Sequence, residues 1–174
     1  AELPLHENTP NAMRLDITSV EKGGKVVLTN TGYWGMGLKS GAKYDLRFYV
    51  RSDNYKGGIT ARISDSKTGS TYGYVEFKKR KIKEWTEYTA VLNSTGTTGN
   101  GQLSLEFEAK GTVWVDYVSL FPQDTFKGRK NGLRPDLAEM LIGLHPKFMR
   151  WPGGCIVEGV TYEIMINLKQ LNSF

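Results

Sequence analysis

Four carboxylates and a set of aromatic rings are the groups in this chain whose types and spacing could do chemistry. Glu76, Glu106, Glu108 and Asp116 fall in segments of period-two alternation, and a hydrolase would need two such carboxyls facing each other across one cleft. The same segments put Tyr49, Tyr72, Tyr74 and Trp114 at outward positions, in company with Arg47, Arg51 and Arg62. Rings on an outer sheet face are unusual unless something covers them. A sugar ring can do so, because its apolar C–H face stacks on an aromatic while Arg, Glu and Asp side chains bond its hydroxyls. The candidate carbohydrate-binding set is therefore Tyr49, Tyr72, Tyr74, Trp114, Arg47, Arg51, Glu76 and Glu106, with Trp34 from a glycine-punctuated loop. Tyr33 and Trp34 read equally as packing anchors at the end of a sandwich. The other rings read equally as strand formers, or as a surface covered by a neighbouring domain.

Other reactive groups carry less. Cys155 is the one cysteine, so no internal disulfide forms, and without a histidine nearby in sequence it reads as a buried thiol rather than a nucleophile. His6 and His145 have no cysteine or carboxylate at ligand spacing, which argues against zinc. The formal net charge is +5, and the densest basic run, Lys78 to Lys83, reads as a solvated loop, so no nucleic-acid partner is expected. No apolar run approaches the roughly 18 residues of a spanning helix, and no membrane partner is expected. The first residues, AELPLHENTP, lack the charged and apolar regions of a signal peptide, so the chain reads as a mature form or as part of a longer protein.

The elements that must position these groups are mostly strands. Met13, Leu15 and Ile17 alternate with polar residues; Lys25 to Asn30 follows a Gly-Gly turn; Tyr44, Leu46, Phe48 and Val50 form the inward row of the clearest strand. Further inward rows are Ile59, Ala61 and Ile63; Val75 and Phe77; Tyr88, Ala90 and Leu92; Leu103, Leu105 and Phe107; and Val113 with Val115. The polar run NSTGTTGNGQ, residues 93–102, is expected to be a mobile loop. About nine short strands with no helix before Pro135 imply an all-β, antiparallel jelly-roll β-sandwich. Beyond Pro122 the period changes to a helix from about Arg134 to Leu144, with Pro135 in its first turn, and then a short strand from Phe148 to Trp151. The expected division is a sandwich over 1–122 and a linker, helix and strand over 123–174. A complete (β/α)8 barrel needs about 250 residues, more than the 174 present.

The runs VSLFPQDTFKGRKNGLRPDLAEML and PKFMRWPGGCIVEG, with NAMRLDI and GYWGMGLKSGAKYDLRFYVRS upstream, resemble the long-form α-L-arabinofuranosidases of glycoside hydrolase family fifty-one, over Asn11 to Glu163. The resemblance implies a sandwich like the family-four type of carbohydrate-binding module, followed by the truncated start of a catalytic barrel. Such enzymes are retaining glycosidases that use two glutamates about 5 Å apart on later barrel strands. Neither has a counterpart here: Glu158 and Glu163 match neither catalytic motif, and after Glu163 the chain leaves the family pattern. The residue matching Cys155 lies in the arabinofuranosyl subsite. Modules of this type hold a structural calcium through an aspartate like Asp116, although the strand that brings a partner glutamate has no counterpart in this sequence. If it is not a ligand, Asp116 caps a bulge where the alternation slips at Tyr117. The implied function is non-catalytic binding of hemicellulose (xylan, arabinoxylan or β-glucan), with no cofactor other than that calcium and with the catalytic barrel as partner. The implied location is secreted or cell envelope, although such enzymes also occur inside cells. Two rival readings are a spacer domain that binds no sugar and a small hydrolase active on its own.

Overall fold

The computed structural model describes residues 4–78 and 82–148. The chain divides into two compact units, the first ending at Pro135 and the second starting at Asp136. The first is a sandwich of two antiparallel sheets. Its strands are β1 (Met13–Ile17), β2 (Val26–Asn30), β3 (Met36–Leu38), β4 (Lys43–Ser52), β5 (Ile59–Asp65), β6 (Thr71–Phe77), β7 (Thr86–Asn93), β8 (Thr98–Phe107) and β9 (Gly111–Pro122). One sheet has four strands in the order β1-β9-β4-β7, and the other runs β2-β8-β5-β6 with β3 also paired to β8. This is the antiparallel two-sheet sandwich expected from the strand spacing.

The inward rows meet in a single core. Phe48, Val50, Ala61, Ile63, Phe107 and Val113 have no measurable exposure. At its centre the Phe48 and Tyr88 rings stack with centroids 5.1 Å apart, and Phe77 meets both edge-on at 5.4 and 5.1 Å. Each such ring contributes about 1.5–3 kcal/mol by leaving water. Tyr55 closes one end: its hydroxyl donates to Gly58 O and accepts from Glu108 N, and burial pushes its pKa up to about 12. The β6–β7 connection that carries the basic run is tied down by Ile82, which is buried and whose carbonyl accepts a hydrogen bond from Ser52 N at 2.6 Å. Lys78 and Lys83 are exposed.

The run expected to be a mobile loop proves to be partly strand. Residues 98–102 begin β8, with Met36 opposite Gly101 and Ser64 opposite Gln102. Polar composition hid this strand, and glycine is what allows it. A Cβ on Gly101 would lie 2.5 Å from Met36 O, so β3 can approach only where no side chain stands. A second irregularity is the bulge in β9. The register shifts between Arg47–Ser119 and Tyr49–Asp116, and Tyr117 takes φ 52° with its N–H bonded to Asp116 Oδ1 at 2.7 Å.

After β9 the chain stays with the sandwich: Gln123 N donates to Lys43 O at 2.9 Å and its side-chain amide to Asp45 Oδ1 at 2.7 Å. Helix α1 (Pro135–Gly143) has Asp136 in its first turn, and Leu137, Met140, Leu141 and Leu144 are exposed. The expected barrel strand beyond Phe148, with Cys155, Glu158 and Glu163, lies outside the described residues.

Gly35 has φ +94°, and a Cβ there would sit 2.1 Å from Gly99 O, whereas Gly23, at φ +79°, faces open space. Gly35→Ala is expected to cost about 3 kcal/mol or more by displacing β3, and Gly23→Ala only about 1 kcal/mol. Equal losses in urea denaturation would contradict this close approach.

Candidate functional site

Alternation gives the sandwich two outer faces that look in opposite directions, and the candidate residues divide between them. On the four-stranded sheet, the register sets Arg14, Trp114 and Arg51 side by side across β1, β9 and β4. The guanidinium carbons of Arg14 and Arg51 lie 5.6 and 4.3 Å from the centre of the Trp114 ring, cation–π distances that leave this tryptophan half-buried. Arg51, expected to face solvent, is buried at 6% exposure, and its Nε has no hydrogen-bond partner.

Further along that face the Tyr49 hydroxyl accepts from Arg47 Nη2 and donates to Glu87 Oε1 at 3.0 Å, while Arg47 Nε lies 2.5 Å from the same carboxylate oxygen. Tyr117 stands edge-on to Tyr49, with centroids 6.4 Å apart. The protein's own segments partly cover this surface. Leu5, His6 and Thr9 close a shallow hollow of about 470 Å³ over Arg47, Tyr49 and Tyr117. Lys130 and Asn131 border another of about 490 Å³ over β4, β7 and β9.

The five-stranded sheet presents a different outer face. Glu106 lies at its centre, 7% exposed, and accepts from Arg62 Nε at 2.5 Å, Arg62 Nη2 at 3.2 Å and Lys25 Nζ at 2.6 Å. The hydrogen bonds from Arg62 hold this carboxyl below the usual glutamate range and outweigh its burial, with Lys25 adding to them. The Arg62 guanidinium also lies 5.3 Å over the Tyr74 ring, which is 59% exposed at the β6 edge. Alongside run two hydroxyl or amide pairs, Thr29 with Ser104 at 3.1 Å and Gln102 with Ser64 at 3.1 Å. Together these make a polar lane crossing the strands, with an aromatic at one end.

Of the nine candidates, Tyr49, Trp114, Arg47 and Arg51 thus share the four-stranded face, and Tyr74, Glu76 and Glu106 share the other. Tyr72 joins neither: half-buried, it packs against the core and over Gly96, where a Cβ would meet its ring at 2.3 Å. Trp34 is 87% exposed on the β2–β3 connection, beside Tyr33 at 88%. Sequence reasoning left out Arg14, Lys25, Tyr117 and the polar pairs. Register couples Arg14 to Trp114, and Lys25 reaches Glu106 diagonally from just before β2, and no local pattern announces either. Asp116 supplies its Oδ1 to the bulge, and among the described residues no group of three or more His, Cys, Asp or Glu side chains comes together. A calcium ion takes six to eight oxygens, so Asp116 would supply one or two of them and backbone carbonyls or water the rest.

The lowered Glu106 pKa has a defined sign. Its contribution to stability is complete above the unfolded glutamate value, about 4.3, and is lost as pH falls through the lower folded value. Glu106→Gln is expected to cost about 1–3 kcal/mol at neutral pH and to reduce the stability loss below about pH 4. Urea denaturation at pH 7 and pH 3 checks this, and an unchanged acid loss in the variant would contradict it.

No protein-family profile matches the chain. Among curated proteins it is 35% identical over 160 residues to alpha-L-arabinofuranosidase 1 of Arabidopsis thaliana, covering 88% of this chain and 23% of that protein. It is 35% identical over 139 residues to an extracellular exo-alpha-L-arabinofuranosidase of Streptomyces chartreusis, covering 78% of this chain and 16% of that one. Among solved structures, an arabinose-bound α-L-arabinofuranosidase of glycoside hydrolase family 51 superposes with a TM-score of 0.83 at 28% identity, over 95% of this chain and 27% of the other. The chain therefore spans about a quarter or less of the length of these relatives. Matched by sequence and by fold over nearly its whole length, it belongs to the α-L-arabinofuranosidases of glycoside hydrolase family 51, as a segment of such an enzyme.

Proposed function

We propose that the sandwich is a non-catalytic carbohydrate-binding module of an α-L-arabinofuranosidase, and that its ligand is hemicellulose: xylan, arabinoxylan or a β-glucan. The observation that carries this reading is the outer face of the five-stranded sheet, where the exposed Tyr74 ring borders the partly exposed Arg62 and Gln102, with Glu106, Ser104 and Ser64 buried beneath and holding them. A pyranose stacks on the ring and exchanges hydrogen bonds with Arg62 and Gln102, the partly exposed members of the lane. The opposite face fits less well, since Trp114 is half-buried between two arginines and Tyr49 is partly overlain by Leu5, His6 and Thr9. Binding of this kind needs no cofactor. It would hold an attached catalytic barrel near its substrate through effective concentration. The extracellular Streptomyces relative supports a secreted or cell-envelope location.

A non-catalytic role is favoured by the state of the carboxylates. Hydrolysis with retention needs two about 5 Å apart, one a nucleophile and one an acid. Glu106 is closed off by Arg62 and Lys25, and Asp116 belongs to the other sheet. Glu76 and Glu108 border one hollow, but Lys25 and Lys78 line it too and Glu108 Oε1 already accepts Gly58 N at 2.9 Å.

One observation favours a second reading, a spacer that binds no sugar. The polar groups of the lane already satisfy each other, so a ligand must compete with bonds in place. Affinity electrophoresis through gels containing xylan, arabinoxylan, β-glucan or no polysaccharide separates the two. Retardation in at least one polysaccharide gel without release of reducing sugar is expected, with Tyr74→Ala weakening it about fivefold or more and Trp114→Ala leaving it in place. Unchanged mobility in every gel would support the spacer. Release of arabinose by the purified chain would overturn the non-catalytic reading.

A further inference from the structure

The β2–β3 connection is a built feature rather than slack chain. β2 ends with Asn30 opposite Leu103 and β3 begins with Met36 opposite Gly101, so both lie along the same edge of β8. Residues 31–35 leave that edge and return to it across from Gln102. Asn30 Oδ1 accepts the Gly32 N–H at 2.8 Å, Gly32 and Gly35 both hold positive φ, and Gly35 is pressed against the Gly99 backbone. Between these fixed points Tyr33 and Trp34 project almost fully into solvent, their ring centroids 5.0 Å apart and their planes tilted by 42°. Large rings so exposed on a pinned turn lose apolar burial and gain nothing from the core, and a pinned turn reduces the ordering cost of binding.

Their place in the sheet says what covers them. Tyr74 stands on β6, at the far edge from β2 and β3. The register links Tyr74 through Arg62 to Ser104, two residues along β8 from Gln102. Three strand spacings across and two residues along put the turn roughly 15 Å from Tyr74, with Ser64, Gln102, Ser104 and Arg62 in between. We infer that Tyr33 and Trp34 form a second aromatic contact, and that the ligand is a linear run of several linked sugars lying across the strands from Tyr74 to this turn. A single arabinofuranosyl side group is too short to engage both. This inference rests on the carbohydrate-binding reading and adds to it the length and direction of the bound chain.

The test is isothermal titration of the full 174-residue chain with xylose, xylobiose, xylotetraose and xylohexaose, and with gluco-oligosaccharides of the same lengths. Affinity is expected to rise from the biose to the hexaose, by about tenfold or more in the preferred series. Trp34→Ala and Tyr33→Ala are expected to remove most of that rise and to change biose affinity little. Both side chains are exposed, so unfolding transitions matching the parent's will confirm intact folds. If Tyr74→Ala abolishes hexaose binding while Trp34→Ala and Tyr33→Ala bind it within about twofold of the parent, the second contact is wrong and the carbohydrate reading stands. If the parent binds no sugar of either series and no polysaccharide, both fall together.

Discussion

Period-two alternation closed into two sheets is the constraint on which everything else in this domain depends. Along β4 the row Tyr44, Leu46, Phe48 and Val50 fills the dry interior, and along β8 the row Leu103, Leu105 and Phe107 meets it from the other side. Once those rows are fixed, Asp45, Arg47, Tyr49 and Arg51 must lie on one outer surface and Gln102, Ser104 and Glu106 on the other. A one-residue slip in either strand would exchange core and surface. The burial that stabilises the sandwich therefore also decides which polar groups share a face and which can never meet.

The two faces then solve different electrostatic problems. On the four-stranded sheet, cations sit against aromatic rings: Arg14 and Arg51 on Trp114, and Arg47 on Tyr49. On the five-stranded sheet one carboxylate, Glu106, gathers two cations from neighbouring strands. Desolvating Glu106 would be costly alone, and the short bonds from Arg62 and Lys25 offset that cost while fixing both long side chains. A preordered polar lane results, and it leaves Tyr74 exposed beside Arg62. Rigid donors and acceptors next to an open ring fit a sugar better than they fit a protein partner, which would need a larger apolar centre.

Much of this architecture was legible from residue types. The inward rows, the bulge at Asp116–Tyr117 and the helix after Arg134 all announce themselves through local period and turn chemistry, because each is set by residues adjacent in sequence. What was not legible depends on register. Nothing local distinguishes Arg51, which is buried beside Trp114, from Arg47, which is exposed beside Tyr49. Tyr72 and Tyr74 have the same phase, yet the irregular pairing at Ile63–Ser64 and the missing side chain of Gly96 draw Tyr72 onto the core. The start of β8 was hidden for a related reason: its glycines look like loop and act as room for β3. The calcium suggested for Asp116 rests on resemblance, and one oxygen of its carboxylate is engaged in the bulge.

On the proposed reading the five-stranded face, and not the four-stranded one, receives the glycan. The most direct measurement is a titration of the isotopically labelled chain with xylohexaose or a mixed-linkage glucohexaose, followed amide by amide in two-dimensional NMR spectra. Progressive shifts are expected to concentrate on Ser64, Tyr74, Gln102, Ser104 and their neighbours, while Arg14, Tyr49 and Trp114 stay in place. Shifts confined to Tyr49, Trp114 and Tyr117 would contradict it.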